Sequence, residues 1–308
     1  MTQYGKQAYD TLQKYHLAPK KRFGQNFLVH RTTAEAIVAA GHIKPEETIV
    51  EVGVGLGALT LPLSKTAKRV CGFEIDSGIV RFHRQTNDLP ENVTLIHKDF
   101  LDVDLEEVCS SCASESGKLK ILANLPYSIS NPFIFKLVDN ARYIESVTVM
   151  LQKEVALRLA AQPGSKEYGV PTILLGSCAS VKQQLLLRPD EFYPKPKIDS
   201  IVITINFGIT APGIPPQESY SYPLFKEIVR TTFNQRRKTI GNTFANAPSL
   251  RRMAGTDRNT AKKLAAELLE KAGINPGTRP ETLPIEKFIE LSQITGAALQ
   301  ETSNSQSS

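Results

Sequence analysis

Cysteine is scarce in this chain, with Cys71, Cys109, Cys112 and Cys178 the four among 308 residues. That number in a chain of this size does not make a disulfide framework. Cys109-Ser-Ser-Cys112 has the spacing of half a metal site, but no second pair accompanies it. The five histidines (His16, His30, His42, His83 and His97) show no ligand spacing either, and no metal is expected. Long apolar runs are also missing. No stretch approaches the ~20 apolar residues of a membrane span, and the N-terminus lacks the apolar segment of a signal peptide. A soluble cytoplasmic protein with no membrane partner is the expectation.

The composition is that of a globular protein, 41% hydrophobic and 22% charged. The length suits one large domain and one smaller one. The net charge of +6 is unevenly spread. Residues 226–271 hold eleven Lys/Arg against four Asp/Glu, and residues 1–31 hold six against one, so the remainder is acidic. Two basic segments flanking an acidic middle fit a polyanionic partner or, equally, solvated helix faces.

Apolar runs and helical patterns alternate from Thr48 onward. Strands are expected at 48–52, 69–73, 93–97, 119–123 and 147–151, with helices at 32–40, 57–67, 77–86, 153–161 and 171–180. Two late strands, 181–187 and 198–207, are expected to pair as an antiparallel ribbon at the sheet edge. Repeated strand–helix units imply an α/β fold with a parallel, doubly wound sheet. Residues 208–222 are rich in proline and glycine and read as a linker. Beyond it the pattern is helical at 223–233, 236–245, 260–272 and 284–295. The expected organisation is therefore 1–207 as one domain, 208–222 as linker and 223–295 as a helical domain. Residues 1–31 would form a basic arm, helical at 1–18, and 296–308 a disordered tail.

The chemistry gathers at strand ends. Gly53-Val54-Gly55-Leu56-Gly57-Ala58 follows a strand and opens a helix, where the backbone must turn sharply or approach a ligand without a Cβ. Glu74 ends the next strand, placed to accept ribose hydroxyls. This much also fits a nicotinamide dehydrogenase. Asp99 follows the third strand and can accept from an adenine amino group or, alternatively, cap the following turn. No Lys or Arg lies in 53–63 to meet a pyrophosphate, which favours a phosphate-free ligand such as S-adenosyl-L-methionine.

The fourth strand stops in Asn124-Leu125-Pro126-Tyr127. If the Asn124 amide oxygen and the Leu125 carbonyl both accept from an exocyclic amine, its lone pair is freed from the ring and no strong base is needed. Pro126 fixes the loop, and Tyr127 is expected to stack on the base. Phe192-Tyr193-Pro194-Lys195-Pro196-Lys197 is expected to hold Phe192 over the opposite face, with Lys195 and Lys197 toward phosphates. Lys20, Lys21 and Arg22, with Arg236, Arg237 and Lys238, complete the expected RNA contacts.

These motifs, with Gln25-Asn26-Phe27-Leu28, Phe192-x-Pro-x-Pro-Lys-Ile-Asp-Ser200, Phe233-Asn-Gln-Arg-Arg-Lys238 and Arg279-Pro-Glu-Thr-Leu283, resemble the ribosomal RNA adenine dimethyltransferases of the bacterial small-subunit type. The likeness runs from about Lys20 to Leu291. It implies a Rossmann-like class I methyltransferase fold with a smaller C-terminal helical domain, and an enzyme that is monomeric. It further implies dimethylation of two adjacent adenosines in the 3′-terminal hairpin of small-subunit RNA, late in assembly of the pre-30S particle. Contacts to S-adenosyl-L-methionine would come from Gln25, Asn26, Leu28, Gly53, Gly55, Glu74, Asp99 and Asn124. Val54 departs from the family's usual proline. Related large-subunit methyltransferases more often have Asn-Ile-Pro-Tyr and a shorter helical domain, so Leu125 and the long C-terminus favour the small-subunit type. A non-catalytic assembly or transcription factor on the same fold is a competing class, against which the intact Asn-Leu-Pro-Tyr argues.

Overall fold

The computed structural model describes residues 10–15, 17, 25–114, 116–235, 237–255 and 257–306. The chain forms two compact units, Met1–Ala156 with Ser180–Gly208, and Leu157–Ala179 with Ile209–Ser308.

The first unit is built on a seven-stranded sheet. Its strands are β2 (Thr48–Val52), β3 (Arg69–Glu74), β4 (Val93–His97), β5 (Leu119–Asn124), β6 (Ile144–Gln152), β7 (Ala179–Leu187) and β9 (Ser200–Phe207). They lie in the order β4-β3-β2-β5-β6-β9-β7. The first five are mutually parallel, and β9 runs antiparallel to β6. The late strands thus take the sheet edge as expected. Parallel strands covered on both faces carry continuous apolar runs, and β2 and β5 are buried almost throughout. A separate two-stranded pairing joins β1 (Phe27–Leu28) to β8 (Phe192–Tyr193).

Helices α1 (Arg31–Ala40), α2 (Thr60–Thr66), α3 (Ser77–Thr86), α4 (Leu105–Cys112), α5 (Ser130–Asp139) and α6 (Lys153–Leu159) connect the strands. Helix α2 begins three residues later than the sequence suggests, because Gly57 is still in the preceding turn at φ +81°. Helices α4 and α5 were not anticipated. The signal for α4 was Asp104, whose carboxylate accepts from Glu106 N–H and caps the helix. Cys109 and Cys112 fall on a buried face of α4, three residues apart.

The second unit is helical, with α7 (Val170–Gly176), α8 (Tyr222–Phe233), α9 (Ile240–Phe244), α10 (Pro248–Ala254), α11 (Arg258–Lys271) and α12 (Ile285–Gln306). Phe225, Phe244 and Phe288 are fully buried in it. Three boundary expectations change. Residues 157–179 belong to this unit rather than to the sheet domain, since the buried Tyr168 donates to the Leu283 carbonyl at 3.0 Å and its ring meets Phe233. The expected linker is partly core, for Tyr220 is buried with its ring 5.3 Å from Phe225. The expected disordered tail continues α12 to Gln306, because Thr295 is buried and Gly296 still faces Leu224. Among the described residues no helix is long and apolar enough to cross a membrane.

The glycine turn after β2 is anchored from beneath by Val54. A Cβ on Gly72 in β3 would stand 2.6 Å from the buried Val54 Cγ2. Gly72→Ala is therefore expected to push the turn outward and cost about 1–3 kcal/mol by overpacking, read as a lowered urea midpoint.

Candidate active site

Register brings the strand ends together. Val52 pairs with Phe73 on one side and with Ala123 on the other, and Glu74 pairs with His97. Gly53, Glu74, Asp99 and Asn124 consequently sit at the carboxyl ends of four adjacent strands, β4-β3-β2-β5. That edge is where open parallel sheets take their ligands. Gly53 adopts φ +86°, and a Cβ there would lie 2.9 Å from the Asn124 carbonyl oxygen, so only glycine fits.

A cavity of about 140 Å³ opens at this edge. Gln25, Asn26, Leu28, Gly53, Gly55, Glu74, Asp99 and Asn124, all eight expected cofactor contacts, line it. Leu125 and Pro126 line it as well. Sequence reasoning missed Phe100, Ile75, Ile79, Ser128 and Ile129, whose apolar or small side chains complete the wall. Among the described lining residues Lys98 is the sole cation, against two carboxylates.

Glu74 organises the turn. Its Oε2 accepts the Gly55 N–H at 2.9 Å and its Oε1 accepts the Asp76 N–H at 2.8 Å. Each carboxylate oxygen retains acceptor capacity toward the cavity. Burial pushes the Glu74 carboxyl above its ordinary range, with the backbone N–H groups opposing the shift. Asp76, unremarked in the sequence, caps α3 through Gly78 N–H and accepts from Gln25 Nε2 at 3.1 Å. Through that bond it holds the N-terminal strand of the site. Asp99 accepts from Leu101 N–H at 2.8 Å through Oδ1, so the capping alternative is realised while the residue still lines the cavity.

The two aromatics expected to stack on the base, Tyr127 and Phe192, stand outside the cavity lining. Tyr127 is half-buried and does not line the cavity; its hydroxyl is 2.8 Å from Ser200 Oγ. Burial raises its phenol above the usual range. Phe192 is corrected from an open second face to a core residue. It is 3% exposed, pairs with Leu28 across β1–β8 and packs in the cluster containing Leu28 and Leu187. The start of the proline-rich segment thereby secures β1. Lys195 and Lys197 are exposed. Lys20, Lys21, Arg22 and Arg236 lie outside the described residues.

In the helical unit, a second pocket of about 390 Å³ is polar. Lys238, Arg251, Arg258 and Lys262 line it with Asn234, Gln235, Asn242 and Asn246, and no acidic residue does. The nearest carboxylate in sequence, Asp257, is turned into the cap of α11, accepting from Asn259 and Thr260 N–H. Arg237 is exposed beside it in sequence.

A doubly wound sheet with a glycine turn, a carboxylate on the next strand and an acid-lined cavity at the same edge is the architecture of a class I methyltransferase fold. The ribosomal RNA adenine dimethylase family model matches residues 17–291. A Desulfotalea psychrophila protein, ribosomal RNA small subunit methyltransferase A, is 52% identical over 96% of this chain and 97% of its own. The protein of the same description from Clostridium botulinum (strain ATCC 19397 / Type A) is 37% identical over 92% and 96%. The crystal structure of a dimethyladenosine transferase from Plasmodium falciparum superposes with a TM-score of 0.70 at 23% identity, covering 90% of this chain and 98% of its own. The chain belongs to the ribosomal RNA adenine dimethylase family and is an rRNA methyltransferase.

Glu51, in β2 below the turn, is fully buried, and neither carboxyl oxygen has a hydrogen-bond partner. Burial, with a smaller contribution from the Glu74 charge and against the Thr60 hydroxyl, pushes it up to about 8. The folded protein therefore holds a proton that the unfolded chain releases. Stability is expected to fall by about 1.4 kcal/mol per pH unit from near pH 5 toward pH 8 through this group. Glu51→Gln should flatten that slope in urea titrations across pH.

Proposed function

We propose that the cavity seats S-adenosyl-L-methionine beside a flipped adenine, and that the protein dimethylates two adjacent adenosines in the 3′-terminal hairpin of small-subunit rRNA. The observation that carries this reading is the adjacency of the glycine turn and Asn124 at neighbouring strand ends, where Gly53 meets the Asn124 carbonyl. The small-subunit assignment is supported by the descriptions of the curated relatives.

The residues fit the cofactor. Glu74 offers carboxylate lone pairs at the position of a ribose, Asp99 stands one strand further for an adenine amine, and Gln25 and Asn26 close the cavity from the N-terminal side. Two carboxylates against one lysine suit a ligand carrying a sulfonium cation. When bound, the cofactor supplies an electrophilic methyl group.

The chain's task is then to present a nucleophile. The Asn124 Oδ1 and the Leu125 carbonyl accept the two hydrogens of the adenine amine, holding it pyramidal with its lone pair toward the methyl group. Pro126, at φ −55°, keeps that backbone in place. No general base is required, because the amine loses its proton readily once alkylated. Tyr127, the motif's own aromatic and tethered to Ser200, is the ring proposed for the base to rest on. The exchange costs unstacking energy that flipping enzymes recover in the pocket.

The basic pocket of the helical unit is the place for backbone phosphates, with the exposed Arg237 and Lys195 and Lys197 as further contacts. The substrate is read as a late pre-30S particle, and the enzyme as a cytoplasmic monomer.

Asn124→Ala is expected to lower transfer at least ~10²-fold while S-adenosyl-L-methionine still binds by calorimetry. The assay is under-methylated small subunits with labelled cofactor, the product mapped by mass spectrometry; full activity in the variant would sink the mechanism. Lys238→Ala and Arg258→Ala should each weaken RNA binding without changing cofactor affinity. Each should also reduce the slope of log affinity against log salt by about 1.

A further inference from the structure

The sequence offered no role for His83, yet its ring is built into the wall behind the glycine turn. Nδ1 is 2.8 Å from Asp88 Oδ1, and Nε2 is 2.7 Å from the Gly55 carbonyl oxygen. The side chain is 1% exposed. The Phe82 ring lies 4.9 Å away, and Cε1 is 3.8 Å from where a Gly57 Cβ would stand.

Both ring nitrogens thus face oxygen atoms, Nδ1 the partly exposed Asp88 carboxylate and Nε2 the Gly55 carbonyl inside the turn. His83 stands in the last turn of α3, where the helix presents its carbonyl end. Asn87, at φ +48°, ends the helix and turns the chain so that Asp88 folds back onto the ring. From β3, Glu74 places a second carboxylate on the N–H of the same Gly55. The turn itself, residues 53–59, contains no titratable side chain. From the N-terminal segment, Tyr15 meets Phe82 at 4.8 Å. Gly55 is thus gripped at both ends of one residue, its N–H by a carboxylate and its C=O by a ring N–H.

We propose that His83 is a positioning residue for the ligand turn. Paired with Asp88, it fixes the Gly55 carbonyl and so the curvature of the backbone that seats the ligand. The proposal rests on reading that turn as the seat of S-adenosyl-L-methionine.

The test combines calorimetry using S-adenosyl-L-methionine with steady-state kinetics of the full-length protein. His83→Leu and Asp88→Asn should each weaken binding roughly tenfold, about 1.4 kcal/mol. Each should raise KM more than it lowers kcat. Asp88 is partly exposed, so its variant keeps the test decisive should His83→Leu fail to fold. An unchanged Kd in a folded variant, or a loss confined to kcat, overturns the proposal. If the wild-type protein does not bind S-adenosyl-L-methionine, the reading of the cavity fails instead.

Discussion

The structure turns on one close approach, the Asn124 carbonyl oxygen 2.9 Å from the position a Cβ would take on Gly53. Adjacent parallel strands are spaced by backbone hydrogen bonds at about 4.8 Å, which brings the ends of β2 and β5 side by side. Any side chain at Gly53 would force those ends apart. With glycine there, the proposed methyl donor and acceptor sites stand at neighbouring strand ends. The rest of the cavity follows from the same register, which carries Glu74 and Asp99 outward along the edge at successive strands. Only this alignment turns residues scattered from 53 to 124 into one wall.

That wall carries more buried charge than an apolar core would tolerate. Glu74 is buried and its carboxyl is raised by desolvation, yet both oxygens are held by backbone N–H groups. Buried carboxylates are tolerable when so bonded. Glu51 has no such bonds and stays protonated near neutrality. The two acids illustrate how environment divides one residue type into a hydrogen-bonded contact and a neutral filler. Between them the turn is shaped by packing, Val54 on Gly72, where the family more often places a proline. Rigidity here comes from a filled interior instead of a fixed φ.

What could be read in the sequence was whatever one strand and its end reveal alone. Gly53, Glu74, Asp99 and Asn124 each follow an apolar run, and a parallel sheet puts such ends on one edge whichever order the strands take. Non-local pairings were not legible. Nothing near Phe192 announces that it will face Leu28 across 164 residues of chain, so an aromatic among prolines looked like a clamp. His83 and Asp88 sit five residues apart, but their meaning depends on the Gly55 carbonyl, 28 residues away. The tail was misjudged for a related reason: Ser/Gln/Thr-rich composition suggests disorder, whereas α12 continues because Thr295 and Gly296 still have core neighbours.

The uneven charge of the chain also resolves into chemistry. A site for a sulfonium gains from carboxylates, and a site for RNA backbone gains from cations; one pocket cannot serve both. The fold keeps the two kinds of charge in separate compact units: among the described residues, two carboxylates and one lysine line the sheet cavity, and four cations and no acid line the helical pocket. The modest total of +6 is therefore a poor guide to the molecule. Salt should act on the two sites differently. Phosphate contacts release counterions and weaken steeply as salt rises, while the hydrogen bonds around Glu74 are buried and weakly screened. On the proposed function, high ionic strength limits catalysis through the hold on RNA and leaves the hydrogen bonds around Glu74 intact.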